Sequence, residues 1–259
     1  MNILDTFQNS LKFTAVHTGK PNHSEAGMYI PITEGTAHIW SVQYTDLDRY
    51  YPILSSLPSM DEATRAAGFK KPVEARRYIL RHAIVRAILG HYLDQEPAEI
   101  QFIRATTGKP YLDPKANVQD IRFSLSHTDT MICLGISQKS EIGLDIEKID
   151  PHYPFFETGQ YLFSPDERRW IAQTAPEGRL LRFFRIWSLK EALLKATGSS
   201  VNMMKEAEVS GIMTGHFLDG FYPVHLGKKE MRFFIHESGF SGEYHCTLAT
   251  IPVMETRFN

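Results

Sequence analysis

The chain carries an internal repeat, because shifting it by 105 residues superposes one helical region on another. Seven positions between residues 59 and 89 recur identically at this offset, where unrelated sequences of this composition would share about two. The recurring residues are Ser59, Asp61, Glu62, Ala67, Arg77, Ala87 and Leu89, which match Ser164, Asp166, Glu167, Ala172, Arg182, Ala192 and Leu194. Each copy opens with Ser-x-x-Glu, the capping-box pattern of a helix start. The repeat predicts a fold of two similar α+β halves, each with a strand, a capped helix, a longer helix and more strands.

The repeat also suggests how the 259 residues are divided. We expect an N-terminal extension over residues 1–36, where Gly, Pro, Thr, Asn and His occur with little periodicity. It would either pack as an additional strand or be mobile. The N-terminal half would then span residues 37–137 and the C-terminal half residues 138–259. At the offset of 105, Arg86 aligns with Glu191, which predicts a cation in one half where the other half carries a carboxylate.

Charge and composition exclude several classes of protein. The 28 Lys and Arg against 30 Asp and Glu leave a net charge of −2, which argues against a broad electrostatic grip on nucleic acid. The two cysteines are too few for a disulfide framework and suit a reducing, cytoplasmic compartment. Neither a signal peptide nor a long apolar run is present, so no membrane association is expected. The length suits a self-contained monomer.

The strongest candidate for chemistry is a set of carboxylates with one lysine. Asp145 and Glu147 lie two apart in a predicted strand and would share a face, while Glu191 and Lys195 lie four apart in a predicted helix. Converging carboxylates favour a divalent cation such as Mg²⁺, which also takes phosphate oxygens as ligands. The alternative is a surface ion pair between Glu191 and Lys195 with a solvated edge strand, and for either motif alone it is the more common case.

Ser126 and His127 suggest a second possibility, a nucleophile with its base. Adjacent strand residues project to opposite faces, so this pair cannot act together without a bend, and a hydrolase is rejected. His127 could instead form a phosphate pocket with Arg77, Arg86 and Lys109. The alternative is that His127 has a structural role at the end of its strand.

Four motifs in a fixed order indicate a family. They are TGKP (107–110), FSLSH (123–127), GLDIEKI (143–149) and WSLKEALLKATG (187–198). Together they resemble the surfactin-synthetase type of 4′-phosphopantetheinyl transferase, over about residues 38–210. The resemblance implies a pseudo-dimeric α+β monomer with coenzyme A bound between its halves. It also implies Mg²⁺-dependent transfer of the phosphopantetheine arm of coenzyme A to a serine of an apo acyl, peptidyl or aryl carrier protein, which leaves 3′,5′-ADP.

The same resemblance implies roles for individual residues. Asp145, Glu147 and Glu191 would hold Mg²⁺, or Mn²⁺, together with the pyrophosphate. Glu191 would also accept the serine proton, and Lys195 would stabilise the departing phosphate. The implied coenzyme A ligands are Lys109 and Pro110 at the adenine, Ser126 and His127 at the phosphates, and Arg77 with Arg65 near the 3′-phosphate. The chain departs from the family at Glu62, where a lysine is expected, and Lys70 or Lys71 could replace it.

The resemblance further places carrier docking near the start of the second half. Here that stretch is residues 151–163, which contains Tyr153, Phe155, Phe156, Tyr161 and Leu162. These aromatics are expected either to form an exposed docking surface for fatty-acid, polyketide or peptide-synthetase carriers or to belong to the core.

Two other functions remain open at this point. A metal-dependent nuclease would use a similar carboxylate and lysine set, although the net charge of −2 argues against it. A silent module that binds coenzyme A or carriers is the other, although the chain retains all three carboxylates and both lysines of the family motifs.

Overall fold

The computed structural model of the protein describes residues 3–18, 23–25, 31–240 and 242–251. The strands are β1 (Lys12–His17), β2 (His23–Glu25), β3 (Thr36–Gln43), β4 (Phe102–Arg104), β5 (Pro110–Leu112), β6 (Ile121–His127), β7 (Met131–Gln138), β8 (Glu141–Lys148), β9 (Ala207–Glu208), β10 (Asp219–Leu226), β11 (Lys229–Phe240) and β12 (Tyr244–Ile251). The helices are α1 (Tyr44–Leu47), α2 (Tyr51–Leu54), α3 (Met60–Ala67), α4 (Pro72–Leu93), α5 (Phe155–Leu162), α6 (Pro165–Ala172) and α7 (Pro176–Thr197). Short 3₁₀ turns occupy Ile3–Thr6, Gln8–Ser10, Asp48–Tyr50, Pro97–Glu99, Val201–Glu206 and Ser210–Ile212. The fold is therefore of the expected mixed α+β class.

Two antiparallel five-stranded sheets organise the chain. The first has the order β2-β1-β3-β7-β6 and the second the order β8-β12-β11-β10-β9. Helix α4 packs its apolar residues into one core with the first sheet, and α7 does the same with the second. A third core lies between the sheets and includes both cysteines, Cys133 and Cys246, as free thiols. Within the described residues, no helix is long and apolar enough to cross a membrane.

Part of the expected N-terminal extension is built into the first sheet. Strand β1 pairs with β3 from Lys12 opposite Ser41 to His17 opposite Thr36, and Phe7 is buried in the first core. The expected alternative of an additional strand therefore applies to this part of the extension, although low periodicity gave no bounds for a strand of only six residues.

The predicted capping boxes are confirmed at both short helices. The Ser59 backbone N–H donates to Glu62 at 2.8 Å and the Ser164 backbone N–H donates to Glu167 at 2.8 Å, while each serine hydroxyl accepts from the backbone of its glutamate. These reciprocal bonds satisfy amides that a helix start otherwise leaves unpaired. Each cap fixes where the chain enters its helix.

The long helices follow an offset of 104 rather than 105. Both begin with a proline and run for 22 residues, from Pro72 and from Pro176. The predicted alignment of Arg86 with Glu191 is therefore wrong by one residue, and Arg86 corresponds to Lys190. Arg86 Nε lies 2.7 Å from the capping-box carboxylate of Glu62.

Lys190 repeats this ion pair in the second half. Its Nζ lies 2.6 Å from Glu167 Oε2, and both side chains are fully buried. In each half, a cationic residue of the long helix therefore forms an ion pair with the glutamate of the capped helix. This role explains why Glu62 stands where a phosphate-binding lysine was expected.

A buried ion pair joins α7 to β11. Arg185 Nη2 lies 2.8 Å from Glu237 Oε2, and His245 Nε2 lies 3.0 Å from Glu237 Oε1. Burial alone would raise the pKa of Glu237, but the hydrogen bonds from His245 and Arg185 outweigh it and lower the pKa to about 2. Glu237 therefore stays ionised in the folded protein at every pH above about 2.

Acid is expected to remove the stability that Glu237 contributes. The unfolded carboxyl has a pKa near 4.5, so its contribution of about 3 kcal/mol is present above that pH and is lost as the pH falls toward 2. Urea unfolding of wild type and Glu237→Gln should differ most at pH 7, and the difference should shrink below pH 4.5. Glu34→Gln, at an exposed ion pair with Lys139, is the control. A difference that does not change with pH would contradict the prediction.

Candidate active site

The candidate site lies where α7 crosses β8. The two backbones approach so closely at Gly143 that a Cβ atom there would lie 1.8 Å from the Ala192 carbonyl oxygen. This contact sets Glu191 and Lys195, on one face of α7, against the strand that carries Asp145 and Glu147. The structure therefore brings the helix pair next to the strand that carries the other two predicted residues.

Lys195 makes the central ion pair of the site. Its Nζ lies 2.6 Å from Asp145 Oδ1 and 3.2 Å from Ser126 Oγ, and Ser126 donates to the same Asp145 oxygen at 2.8 Å. Burial would lower the pKa of Lys195, but attraction to Asp145 and the other two carboxylates raises it. Lys195 is therefore a cation at neutral pH.

Ser126 also belongs to the seam between the two sheets. Its hydroxyl accepts from the Ile146 backbone N–H at 3.3 Å, and the Ser124 hydroxyl accepts from the Leu144 N–H at 2.9 Å. Edge strand β6 of the first sheet thus meets edge strand β8 of the second through serine side chains. This seam places Ser126 beside Asp145.

The carboxylates of the site repel one another. Burial and then the charge of Asp145 raise the pKa of Glu147 to about 8, against the opposing effects of Lys195 and a hydrogen bond from Trp187. Burial likewise raises the pKa of Glu191. The second oxygen of Asp145, Oδ2, is buried and has no hydrogen-bond partner within the described residues.

This donor set fits a hard divalent cation. An unpartnered buried carboxylate oxygen beside two further carboxylates is what a cation would neutralise. Among the described residues no His, Cys, Asp and Glu side chains are gathered into a complete metal-ligand group. Mg²⁺ matches such a partial set, because it usually takes one or two carboxylates and completes its shell with water and phosphate oxygens.

Two clefts flank the site, and several of the other predicted residues line one or the other. A cleft of about 290 Å³ is lined by Lys109, Pro110 and Lys195, and a second of about 410 Å³ is lined by Arg77 and His127. Arg65 is exposed on the last turn of α3 and lines neither cleft.

Arg86 does not contribute to the phosphate pocket that the sequence suggested. Its guanidinium is buried and donates to Glu62 and to the backbone carbonyls of Pro97 and Ile100. Through these bonds the guanidinium holds α4 against α3 and against the segment that follows α4.

Lys109 likewise uses its ammonium group for structure. Its Nζ lies 3.1 Å from Glu141 Oε2 and donates to the carbonyls of Ile142 at 3.2 Å and Ala196 at 3.4 Å. Burial lowers the pKa of Lys109 more than its carboxylate partner raises it. Lys109 therefore bridges the loop before β5 to both β8 and α7, and its charge is committed there.

The larger cleft contains residues that sequence reasoning did not assign to the site. They are Tyr44, Phe69, Glu74, Arg81, Thr128 and Asp129. Arg81 lies four residues after Arg77 and so shares its helix face, a spacing that could have identified it. Partial burial, and then Arg81 and Lys195, lower the pKa of His127 to about 4. His127 is therefore neutral at pH 7, so the cationic side chains that line this cleft are the two arginines, alongside the acidic side chains of Glu74 and Asp129.

The aromatic stretch of residues 151–163 divides between core and surface. Phe163 is buried and Phe155 packs against the second core. Phe156 and Tyr161 are 53% and 71% exposed. The stretch therefore supplies some of its aromatic side chains to the core and leaves others exposed at the surface.

Comparison with known proteins covers both halves of the chain. Residues 141–249 match the 4′-phosphopantetheinyl transferase superfamily, and residues 40–139 match the family described as 4′-phosphopantetheinyl transferase, N-terminal. The 4′-phosphopantetheinyl transferase HetI of Nostoc sp. is 31% identical over 173 residues, which cover 67% of this chain and 73% of that protein. The Escherichia coli 4′-phosphopantetheinyl transferase AcpT is 30% identical over 58% of this chain and 74% of its own length. The transferase gsp of Aneurinibacillus migulanus is 27% identical over 60% of this chain and 63% of its own length.

Proposed function

The chain belongs to the 4′-phosphopantetheinyl transferase family, and from this we propose that it moves the phosphopantetheine arm of coenzyme A to a serine hydroxyl of an apo carrier protein, with Mg²⁺ bound and 3′,5′-ADP released. The observation that carries the proposal is the unpartnered Asp145 Oδ2 beside the Lys195 ion pair. A divalent cation would bind the carboxylate oxygen, and the ammonium of Lys195 would attract a phosphate-rich ligand.

We further propose that the molecule is a pseudo-dimeric monomer, with coenzyme A bound where its halves meet. Each sheet contains three neighbouring strands in which the earliest in the chain lies beside the latest, and the latest lies beside the middle one. These strands are β3-β7-β6 in the first sheet and β8-β12-β11 in the second, and their common order supports the similarity of the two halves. The adenine would lie in the smaller cleft, beside Pro110 and the carbon chain of Lys109. The 3′-phosphate would lie in the larger cleft with Arg77.

Each reacting atom then has a protein group assigned to it. Glu191 would accept the proton of the carrier serine, whose oxygen forms a bond to the phosphorus of the pantetheine phosphate. The bond from that phosphorus to the ADP oxygen breaks, and the ammonium of Lys195 would neutralise the departing phosphate. Mg²⁺, held by Asp145, Glu147 and Glu191, would supply further charge neutralisation at the pyrophosphate when bound.

A transfer assay tests this function directly. The protein is incubated with Mg²⁺, coenzyme A and a panel of apo carriers of the fatty-acid, polyketide and peptide-synthetase types, and mass spectrometry looks for one added phosphopantetheine. Modification of a carrier supports the proposal. Coenzyme A binding with no modified carrier in the panel would instead indicate a silent binding module.

Phe156→Asp is expected to raise the KM for the carrier and to leave coenzyme A binding and folding unchanged. We place the carrier on the exposed part of α5, because the apolar flank of a carrier helix would pack on an exposed aromatic side chain. Steady-state kinetics with varied carrier concentration give the KM. Val118→Asp, which changes a residue that is 90% exposed in the other half, is the control. An unchanged KM in folded Phe156→Asp would remove α5 from the docking surface.

A further inference from the structure

A buried chain of polar side chains lies next to the candidate metal ligands. It consists of Ser188, Thr247, His245, Glu237 and Arg185, each less than 5% exposed. Burying this many polar groups is costly unless they are bonded to one another. The burial of these five side chains therefore depends on the contacts that they make with one another.

Strand register puts two of these polar residues, His245 and Thr247, on the same face of the sheet as the carboxylates. In the antiparallel pair of β12 with β8, His245 is opposite Glu147 and Thr247 is opposite Asp145. Directly opposite residues of an antiparallel pair project from the same face of the sheet. Helix α7 packs on both strands.

Short contacts link the polar groups in sequence. Ser188 Oγ and Thr247 Oγ1 share a hydrogen bond of 2.7 Å, and Thr247 Oγ1 lies 3.4 Å from His245 Nε2. His245 Nε2 in turn lies 3.0 Å from Glu237 Oε1, and Arg185 Nε donates to that same oxygen at 3.0 Å. The sequence of contacts starts on α7, passes through β12 and β11, and returns to α7.

Glu191 lies between two of the points that attach α7 to the sheet. Ser188 precedes it by three residues and Lys195 follows it by four, so all three share one helix face. Ser188 bonds to Thr247, and Lys195 bonds to Asp145. Within the described part of the chain the Glu191 carboxylate makes no hydrogen bond or close ion pair, so its position depends on the placement of α7.

We propose that Ser188, Thr247, His245, Glu237 and Arg185 form a positioning network that fixes α7 over β8 and so places Glu191 for the divalent cation. The inference rests on the proposed function, since it concerns the metal site assigned there. None of the five residues lines either cleft, so they act through Glu191 rather than on substrate. Loss of one link would let α7 shift and would weaken the cation site.

Thr247→Val tests the network, because valine keeps the shape of threonine and removes the hydroxyl. Mn²⁺ binding to the full-length protein with coenzyme A present is measured by electron paramagnetic resonance. We expect Mn²⁺ affinity to fall about tenfold, as for other supporting partners of metal ligands. Ser188→Ala should give a similar loss, the double variant should lose little more than either single variant, and Thr247→Ser should retain affinity.

Thr250→Val is the matched control. Thr250 is also buried on β12, but it pairs with Ile142 and Phe234 on the face that contributes to the core between the sheets. Its Mn²⁺ affinity should stay at the wild-type value even where urea unfolding shows an equal loss of stability. Wild-type affinity in folded Thr247→Val, or in Ser188→Ala if the first variant does not fold, overturns the network alone. Failure of the wild-type protein to bind Mn²⁺ overturns the proposed metal site and the network with it.

Discussion

Glu191→Ala is expected to lower transfer to an apo carrier by about 10³-fold, the effect of losing a general base that also holds a cation. Glu191 is the one carboxylate of the site on α7, and it lies on the helix face that meets Asp145 and Lys195. The clefts proposed for coenzyme A are lined by other residues, so coenzyme A binding should be retained. Transfer is followed by mass spectrometry and coenzyme A binding by calorimetry.

Two variants separate the role of Glu191 from a general effect on the helix. Glu191→Gln keeps the shape but cannot accept a proton, so its transfer rate should fall nearly as far as that of alanine. Glu177→Ala removes an exposed glutamate from the first turn of the same helix and should leave transfer unchanged. Near-normal turnover in folded Glu191→Ala would falsify the assignment of Glu191 as base and metal ligand.

Local patterns predicted the parts of the fold that depend on local interactions. A capping box is complete within four residues, so Ser59 and Ser164 could be read directly from the sequence. The alternation of Asp145 and Glu147 and the four-residue step from Glu191 to Lys195 are also local, and they predicted which side chains share a face.

Interactions between distant residues could not be predicted in this way. The carboxylate partner of Arg86 lies 24 residues earlier in the chain and that of Lys109 lies 32 residues later, so neither ion pair leaves a sequence pattern. Both side chains were therefore assigned to a phosphate pocket although their charges are committed elsewhere. A basic residue near a motif identifies a candidate ligand only when no carboxylate elsewhere in the fold competes for it.

The corrected offset of 104 also changes how the halves compare. It aligns Glu191 with Ala87 and Lys195 with His91, while Lys190 and Arg86 keep equivalent ion pairs to their capped helices. The structural cation is thus common to both halves, whereas Glu191 and Lys195 of the candidate site have no counterparts of the same residue type in the first half. This asymmetry fits the proposal of a single site between two similar halves.

Gly143→Ala is the second substitution for which we expect a large effect. An added Cβ would lie 1.8 Å from the Ala192 carbonyl oxygen and 2.4 Å from the Ala196 amide nitrogen. Both are backbone atoms of α7, so the clash cannot be relieved by moving a side chain. Overpacking of this kind costs about 3 kcal/mol, and urea unfolding should show at least that loss.

The same substitution should nearly abolish transfer even at temperatures where the variant stays folded. Relief of the clash requires α7 to move away from β8, and that movement carries Glu191 and Lys195 away from Asp145, whose contact with Lys195 Nζ is 2.6 Å. Gly211→Ala is the control, because an added Cβ at Gly211 meets nothing within 4 Å, and both its stability and its transfer rate should match wild type. Wild-type stability and turnover in Gly143→Ala would mean that the close contact of α7 with β8 does not set the geometry of the site. The positions assigned to Glu191 and Lys195 would then have to be explained by other contacts.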